Sequence, residues 1–128
     1  MTPEQSDLID RLRHLLVDEP VLREAPMFGV RAFMVNEKMV VCALKDGGLL
    51  VRVDAADHDK LLNRPGAEQA VMGPGRDMGP GWIEVSSAAV EADSDLTWWV
   101  EVALAYNRTV TGGRAGRPSE KALQSRKT

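Results

Sequence analysis

The sequence has few of the residues that would form disulfides, metal sites or a membrane span. Its 128 residues include a single cysteine, Cys42, and only two histidines, His14 and His58. One cysteine cannot close an internal disulfide, and so few sulfur and imidazole ligands argue against a standard structural zinc site. No stretch reaches the ~20 consecutive apolar residues of a membrane helix, and the acidic, polar start is unlike a signal peptide. We therefore expect a soluble, cytoplasmic protein without membrane contact, metal or other cofactor.

The remaining composition is that of an ordinary globular domain, 44% hydrophobic and 27% charged. Charge is distributed unevenly along it. Residues 1–110 contain eleven Lys and Arg against eighteen Asp and Glu, a net charge of −7, whereas residues 111–128 contain five against one, a net charge of +4. We therefore predict a domain over residues 1–110 and a basic, disordered tail over residues 111–128. An acidic domain disfavours nucleic-acid binding over a broad face, because such binding depends on Lys and Arg at phosphates.

Hydrophobic spacing and turn residues predict the first half of the fold. Leucines at helical spacing predict a helix over about residues 3–18, which Thr2 can cap. Between Pro20 and Pro26, residues 21–25 are interpreted as one further helical turn. Three strands follow and form an antiparallel meander, because parallel neighbours would need longer connections. Their predicted ranges are 27–35, 38–45 and 49–53.

The second half continues with a helix, two strands and a closing helix. Asp54 can cap a second helix that ends before Asn63. Short strands near residues 68–72 and over residues 82–85 flank a loop rich in Gly and Pro. A closing helix begins near Asp93 and ends near residues 108–111. The order α-β-β-β-α-β-β-α predicts an α+β, two-layer sandwich with an antiparallel five-stranded sheet and three helices.

A set of short motifs also occurs in a fixed order along roughly residues 5–108. They are Met27-Phe28-Gly29 then Phe33-Met34, Leu50-Val51-Arg52, Leu61-Leu62 then Arg64-Pro65-Gly66, Gly75-Arg76-Asp77-Met78 then Gly81-Trp82, and Trp98-Trp99-Val100 with Ala103-Leu104-Ala105. Together they resemble the N-terminal domain of the TfoX/Sxy family, in a stand-alone, single-domain version. The resemblance implies a helix, three-strand, helix, two-strand, helix fold in a bacterial regulatory protein. Two-domain members of this family are regulators of natural competence that act with a cyclic-AMP-responsive transcription activator.

Two glycine-containing segments supply candidates for a shared concave binding site. Gly29 would let a ligand or a loop backbone approach, and Arg76 would bind a carboxylate or a phosphate. An apolar wall would come from Phe28, Met78 and Trp82. Alternatively, Gly29 marks a bulge or lets the loop itself pack, while Met78 and Trp82 fill the core.

Two arginines in apolar strands and one tryptophan complete the candidate surface. Arg31 and Arg52 are each either a buried anchor for an anion or a residue on the wet face of the sheet that pairs with an acid such as Glu84. Trp98 and Trp99 are about 100° apart on a helix, so both cannot face one apolar stripe. Trp98 therefore either borders the core or contributes to a protein contact such as a homodimer.

No pair of residues in the sequence indicates catalysis. A nucleophile needs an adjacent base, and Cys42 has no histidine near it in the sequence. His14 and His58 are expected to be exposed to solvent. We therefore expect a non-enzymatic regulatory domain that binds a protein partner through the sheet face, the glycine-rich loop or the Trp98 side.

Two other functions remain open at this stage. The first is a nucleic-acid-associated factor in transcription or competence that binds weakly through the basic tail. Its basic residues are Arg114, Arg117, Lys121, Arg126 and Lys127. The second is a small-ligand or enzymatic site near the glycine-rich loop.

Overall fold

A computed structural model describes residues 2–19, 22–27, 29–73 and 76–111 of the chain. It contains three α-helices, and two short 3-10 turns at Ala55–Asp57 and Ala88–Val90. The helices are α1 (Pro3–Leu15), α2 (His58–Leu61) and α3 (Asp93–Thr111). The strands are β1 (Leu22–Met27), β2 (Val30–Val35), β3 (Lys38–Ala43), β4 (Leu49–Arg52), β5 (Ala67–Gln69), β6 (Val71–Gly73), β7 (Arg76–Asp77) and β8 (Trp82–Val85). Among the described residues, no helix is long and apolar enough to cross a membrane.

The two long helices follow the predicted patterns. Thr2 caps α1, because its side chain accepts a hydrogen bond from the backbone N–H of Gln5, and Pro3 occupies the first turn. The helix ends at Leu15, earlier than the predicted residue 18. Helix α3 buries the predicted apolar stripe, which consists of Leu96, Trp99, Val100, Ala103 and Leu104.

The α+β class and the antiparallel sheet are confirmed, but the predicted count of five strands is wrong. The main sheet has six strands in the order β1-β2-β3-β4-β8-β5, and β6 and β7 form a separate hairpin. The additional strand is β1, where the sequence suggested a helical turn. It pairs with β2 without interruption, from Leu22 opposite Val35 to Met27 opposite Val30. Pro26 disfavours a helix and is compatible with this strand, because an edge strand tolerates a missing N–H.

Other predicted elements have different boundaries. The predicted strand near residues 68–72 is divided between β5, in the main sheet, and β6, in the separate hairpin, and β7 of that hairpin lies within the predicted loop rich in Gly and Pro. The predicted strand over residues 27–35 is divided between β1 and β2 by a turn at Gly29, whose φ is +83°. Asp54 caps the segment before α2, because its carboxylate accepts from the N–H of Ala56. The segment begins as a 3-10 turn, however, so α2 itself spans only His58–Leu61.

The sheet has two faces with different coverings. On the inner face, α1 and α3 pack against the sheet and form the main core. The inner-face residues of this core include Phe33, Val35, Val41, Ala43, Leu49, Val51, Ile83 and Val85. On the outer face lies a second cluster, which contains no residue of the three α-helices. Its buried members are Ala32, Cys42, Leu50 and Ala70, and its half-buried members are Ala25, Met39, Leu44, Met78 and Trp82.

Candidate functional site

Strand register separates the residues that the sequence placed in one concave site. Arg31 pairs with Ala43, which pairs with Leu49, so these residues mark one end of the sheet, next to the Gly29 turn. Arg52 pairs with Trp82 at the other end. The structure therefore does not bring Gly29 and Trp82 together. Phe28 lies outside the described residues.

At the Gly29 end, the close approach that glycine permits is used within the molecule. The side-chain amide of Gln5 donates to the carbonyls of Gly29, at 2.9 Å, and Ala43, at 3.1 Å. The aliphatic part of Lys45 lies where a side chain at position 29 would be. Gly29 therefore packs against the side chains of Gln5 and Lys45, whereas the alternative interpretation places the glycine-rich loop there. A cleft of about 350 Å³ remains here, lined by Thr2, Gln5, Pro26, Gly29, Val30, Arg31 and Lys45.

Arg31 pairs with an acid, although the acid is Glu24 and not Glu84. The Glu24 carboxylate accepts two hydrogen bonds from Arg13, at 2.7 and 3.0 Å, and one from Arg31, at 2.9 Å. These arginines lower the pKa of Glu24, with the hydrogen bond from Arg13 as the largest cause. Glu24 therefore links β1 to α1 through Arg13 and to β2 through Arg31.

Glu84, the partner suggested for the arginines, is in an acidic environment. Glu84 lies directly opposite Glu68 in the sheet. Burial raises the pKa of Glu84, and the nearby charges of Asp46 and Glu68 raise it further. Asp46, Glu68 and Glu84 therefore form a small acidic cluster on the outer face, at the β5 side of the sheet.

Arg52 lies close to two aromatic rings at the opposite end of the sheet. The central carbon of its guanidinium lies 4.7 Å from the centre of the Trp82 ring and 5.1 Å from that of Tyr106. Its Nη1 donates to the carbonyl of Gly81 at 3.2 Å, and its Nη2 donates to the Tyr106 hydroxyl at 3.4 Å. Within the described part of the chain, Arg52 forms no ion pair.

The guanidinium of Arg52 lines a cleft of about 400 Å³. The described lining consists of Lys38, Met39, Arg52, Trp82, Tyr106, Asn107 and Val110. Three strands and the last turns of α3 supply these residues, so the cleft exists only in the folded chain. Its described lining contains two cations and no carboxylate. An arrangement of this kind can bind an anion next to apolar side chains.

A buried histidine positions one wall of this cleft. The ring of His58 accepts a hydrogen bond at Nδ1 from the N–H of Gly81 at 2.9 Å, and its Nε2 is 2.8 Å from Oε1 of Gln69. Because Nδ1 accepts, the neutral ring carries its proton on Nε2 and donates it to Gln69. The expectation that His58 is exposed to solvent is therefore wrong, whereas His14 is exposed.

The remaining candidate residues lie apart from this cleft or at its border. Arg76 is exposed on β7, and Met78 packs on the second cluster together with Trp82. Trp98 is half-buried, with its ring perpendicular to that of Trp99 at 5.0 Å and the guanidinium of Arg64 3.7 Å from its centre. Trp98 therefore borders the core, as one of the two interpretations proposed. The five basic tail residues lie outside the described residues.

The sequence identified Arg52 and Trp82 but missed Tyr106, Lys38 and His58. A signal for Tyr106 existed, because it follows Trp99 by seven residues and so continues the helical stripe. A tyrosine at the end of an apolar stripe often places its hydroxyl near a polar partner. For His58, no short-range signal existed, since its partner Gly81 is 23 residues away.

Cys42 is buried and is not arranged as a nucleophile. Its thiol lies 3.3 Å from the sulfur of Met39. Burial raises the pKa of the Cys42 thiol to about 12, so the thiol stays protonated at neutral pH. Among the described residues, no three His, Cys, Asp or Glu side chains are grouped so that they could hold a metal ion.

Comparison with known families identifies the domain type. The family described as the TfoX N-terminal domain matches residues 15–106, a span that includes the whole sheet and most of α3. No curated protein and no solved structure matches the chain significantly.

Proposed function

The chain belongs to the TfoX N-terminal domain family, and we propose that it is a non-enzymatic regulatory domain that binds a protein partner through the outer face of its sheet. The family match supports the regulatory role. The second apolar cluster on the outer face supports the choice of surface.

The half-buried rim of this cluster has the chemistry of a protein-binding surface. Met39, Met78 and Trp82 surround the buried centre and keep part of their surface accessible. Methionine side chains adapt to a partner's shape, and tryptophan is enriched among residues that dominate binding energy.

Charge indicates the orientation of the partner. The acidic cluster of Asp46, Glu68 and Glu84 lies toward one side of the outer face. The Arg52 side chain lies at one end of the same face. Burial is the largest cause of the raised pKa of Glu84, and a basic side chain of the partner would relieve the repulsion from Asp46 and Glu68 that adds to it. We therefore expect the partner to place Lys or Arg opposite Glu84.

The test compares an outer-face variant with a matched variant elsewhere. Met39→Lys combined with Met78→Lys places charge in the rim, whereas Val17→Lys places one charge just after α1, where Val17 is 67% exposed. Affinity purification from the native host should recover one protein with the wild type and with Val17→Lys, but not with the double variant. Titration with that purified protein should then show binding weakened at least about tenfold, the ratio that 1.4 kcal/mol produces.

Circular dichroism must show that the double variant remains folded. Recovery of the same partner with unchanged affinity by the double variant would contradict the proposal, and so would the absence of any partner for the wild type.

A further inference from the structure

We propose that the cleft around Arg52 binds a small molecule carrying a phosphate or carboxylate group, with the Arg52 guanidinium as its principal contact. This ligand site is separate from the protein-binding function proposed above, although both involve Met39 and Trp82.

Arg52 is fixed in place, and within the described part of the chain no carboxylate neutralises its charge. The guanidinium carbon lies 4.7 and 5.1 Å from the centres of two aromatic rings, and its two described hydrogen bonds go to the carbonyl of Gly81 and the hydroxyl of Tyr106. Both acceptors are uncharged. A guanidinium has five N–H donors, so further N–H groups remain for an oxyanion. Two other strand arginines, Arg23 and Arg31, differ in this respect, since each pairs with a glutamate.

A second cation and an apolar surface share the cleft with Arg52. Lys38 lines it from the start of β3, and Met39 and Val110 add apolar surface. Two positive charges in one cleft favour an anion, and a fixed guanidinium suits the two oxygens of a carboxylate or a phosphate. The apolar side chains favour a ligand that has a hydrophobic part beside its anionic group.

The volume of the cleft limits the size of the ligand. The cleft has about 400 Å³, which is within the range of small-molecule sites and ample for a phosphate attached to a single ring. Arg52 is half-buried as a residue, and its guanidinium carbon lies near two aromatic rings. A half-buried arginine in a cleft of this size favours a small ligand over an extended acidic segment of a protein.

The experiment follows the amide and indole signals of the ¹⁵N-labelled full chain by NMR. The probes are inorganic phosphate, phenyl phosphate and benzoate, each added alone in a buffer free of other oxyanions. We expect saturable shifts at the Trp82 indole N–H and at the amides of Arg52 and Tyr106. The phenyl ester should bind more tightly than inorganic phosphate because of its contact with Met39 and Val110. A preference for phenyl phosphate assigns a phosphate ligand, and a preference for benzoate assigns a carboxylate; either result supports the proposal.

Variants identify the contact. Arg52→Met removes the charge and keeps an unbranched apolar stem, and it should weaken binding at least about tenfold. Lys38→Met removes an exposed charge and should weaken binding severalfold, while Lys60→Met removes an equally exposed charge on α2 and should leave binding within about twofold. Arg52→Lys keeps the positive charge but loses the planar, two-pronged guanidinium. It should therefore bind more tightly than Arg52→Met and less tightly than the wild type. If Arg52→Met does not fold, Lys38→Met and Arg52→Lys provide the same comparison.

Three results would overturn the proposal. One is the absence of any saturable shift with about 10 mM of each probe, a concentration at which a ligand with a Kd of about 1 mM would occupy most of the site. Another is unchanged binding by Arg52→Met, or by Lys38→Met and Arg52→Lys where Arg52→Met does not fold. The third is binding of a tetra-aspartate peptide with no binding of the three small probes, which would assign the cleft to an acidic protein partner. None of these results depends on the outer-face partner, so this proposal and the proposed function fail separately.

Discussion

Gly81 is the residue at which the parts of the Arg52 cleft meet. Its N–H donates to His58, its carbonyl accepts from the N–H of Val53 at 2.8 Å and from Arg52, and its φ is +94°. A β-carbon here would collide with Nη1 of Arg52 and lie 2.9 Å from the oxygen of Val53. We expect Gly81→Ala to lower the free energy of unfolding by about 3 kcal/mol, measured by urea denaturation.

Gly79 provides a matched control for this substitution. Its φ is +87°, but no atom outside its chain neighbours lies within 4 Å of an added β-carbon. Gly79→Ala should therefore cost only the backbone strain, about 1 kcal/mol. Equal losses for the two variants would mean that the contact with Arg52 and Val53 contributes nothing.

Glu84 provides a second prediction at the residue scale, with the opposite sign. Because its folded-state pKa is raised, its charged form destabilises the fold above that pKa and its protonated form does not. Glu84→Gln should therefore raise the free energy of unfolding at pH 7, by about 0.5 kcal/mol for a like-charge pair across strands. The gain should shrink as the pH falls through the raised pKa. Glu101→Gln, on the exposed side of α3, serves as the reference, and an equal gain there would refute the assignment to the burial of Glu84 and to its neighbours Asp46 and Glu68.

At the scale of elements, the ion pairs around Glu24 attach the edge strand β1 to α1. The pKa of Glu24 is lowered by Arg13 first and then by Arg31, so the stabilisation is present above the unfolded pKa of the carboxyl and is lost as the pH falls through the lowered, folded value. Glu24→Gln should reduce the free energy of unfolding at pH 7 by about 1 kcal/mol, with a smaller effect in acid. Thermal denaturation at both pH values measures this difference.

Glu37 provides a control for the Glu24→Gln substitution. It pairs with Arg23 at 2.8 Å, but both side chains are at least half exposed, at 64% and 50%. Glu37→Gln should therefore have almost no effect on stability, because water screens such pairs. If both glutamine variants behave alike, the attachment of β1 does not depend on the Arg13 and Arg31 contacts.

The same elements show which parts of the fold a sequence can predict. Helix α3 was predicted because its apolar spacing and its acidic first turn are local signals. Strand β1 was missed because its conformation depends on pairing with β2, and its short sequence between prolines has no alternation to indicate a strand. The site followed the same rule. Arg52 and Trp82 stood out in their own strands, but Tyr106, Lys38 and the buried His58 join them only through tertiary contacts.

At the scale of the whole molecule, the opposite charges of residues 1–110 and 111–128 lead to a prediction about nucleic acid. The first segment has a net charge of −7 and the second a net charge of +4. Contacts with the phosphates of a DNA duplex would therefore have to come from the tail. The full chain should bind a short DNA duplex weakly, and a chain ending at Thr111 should not bind it in the same fluorescence anisotropy titration. Five basic residues limit the slope of log K against log[salt] to about −4.5. Binding by the shortened chain, or a steeper slope, would require a basic surface on the folded domain, which its net charge of −7 disfavours.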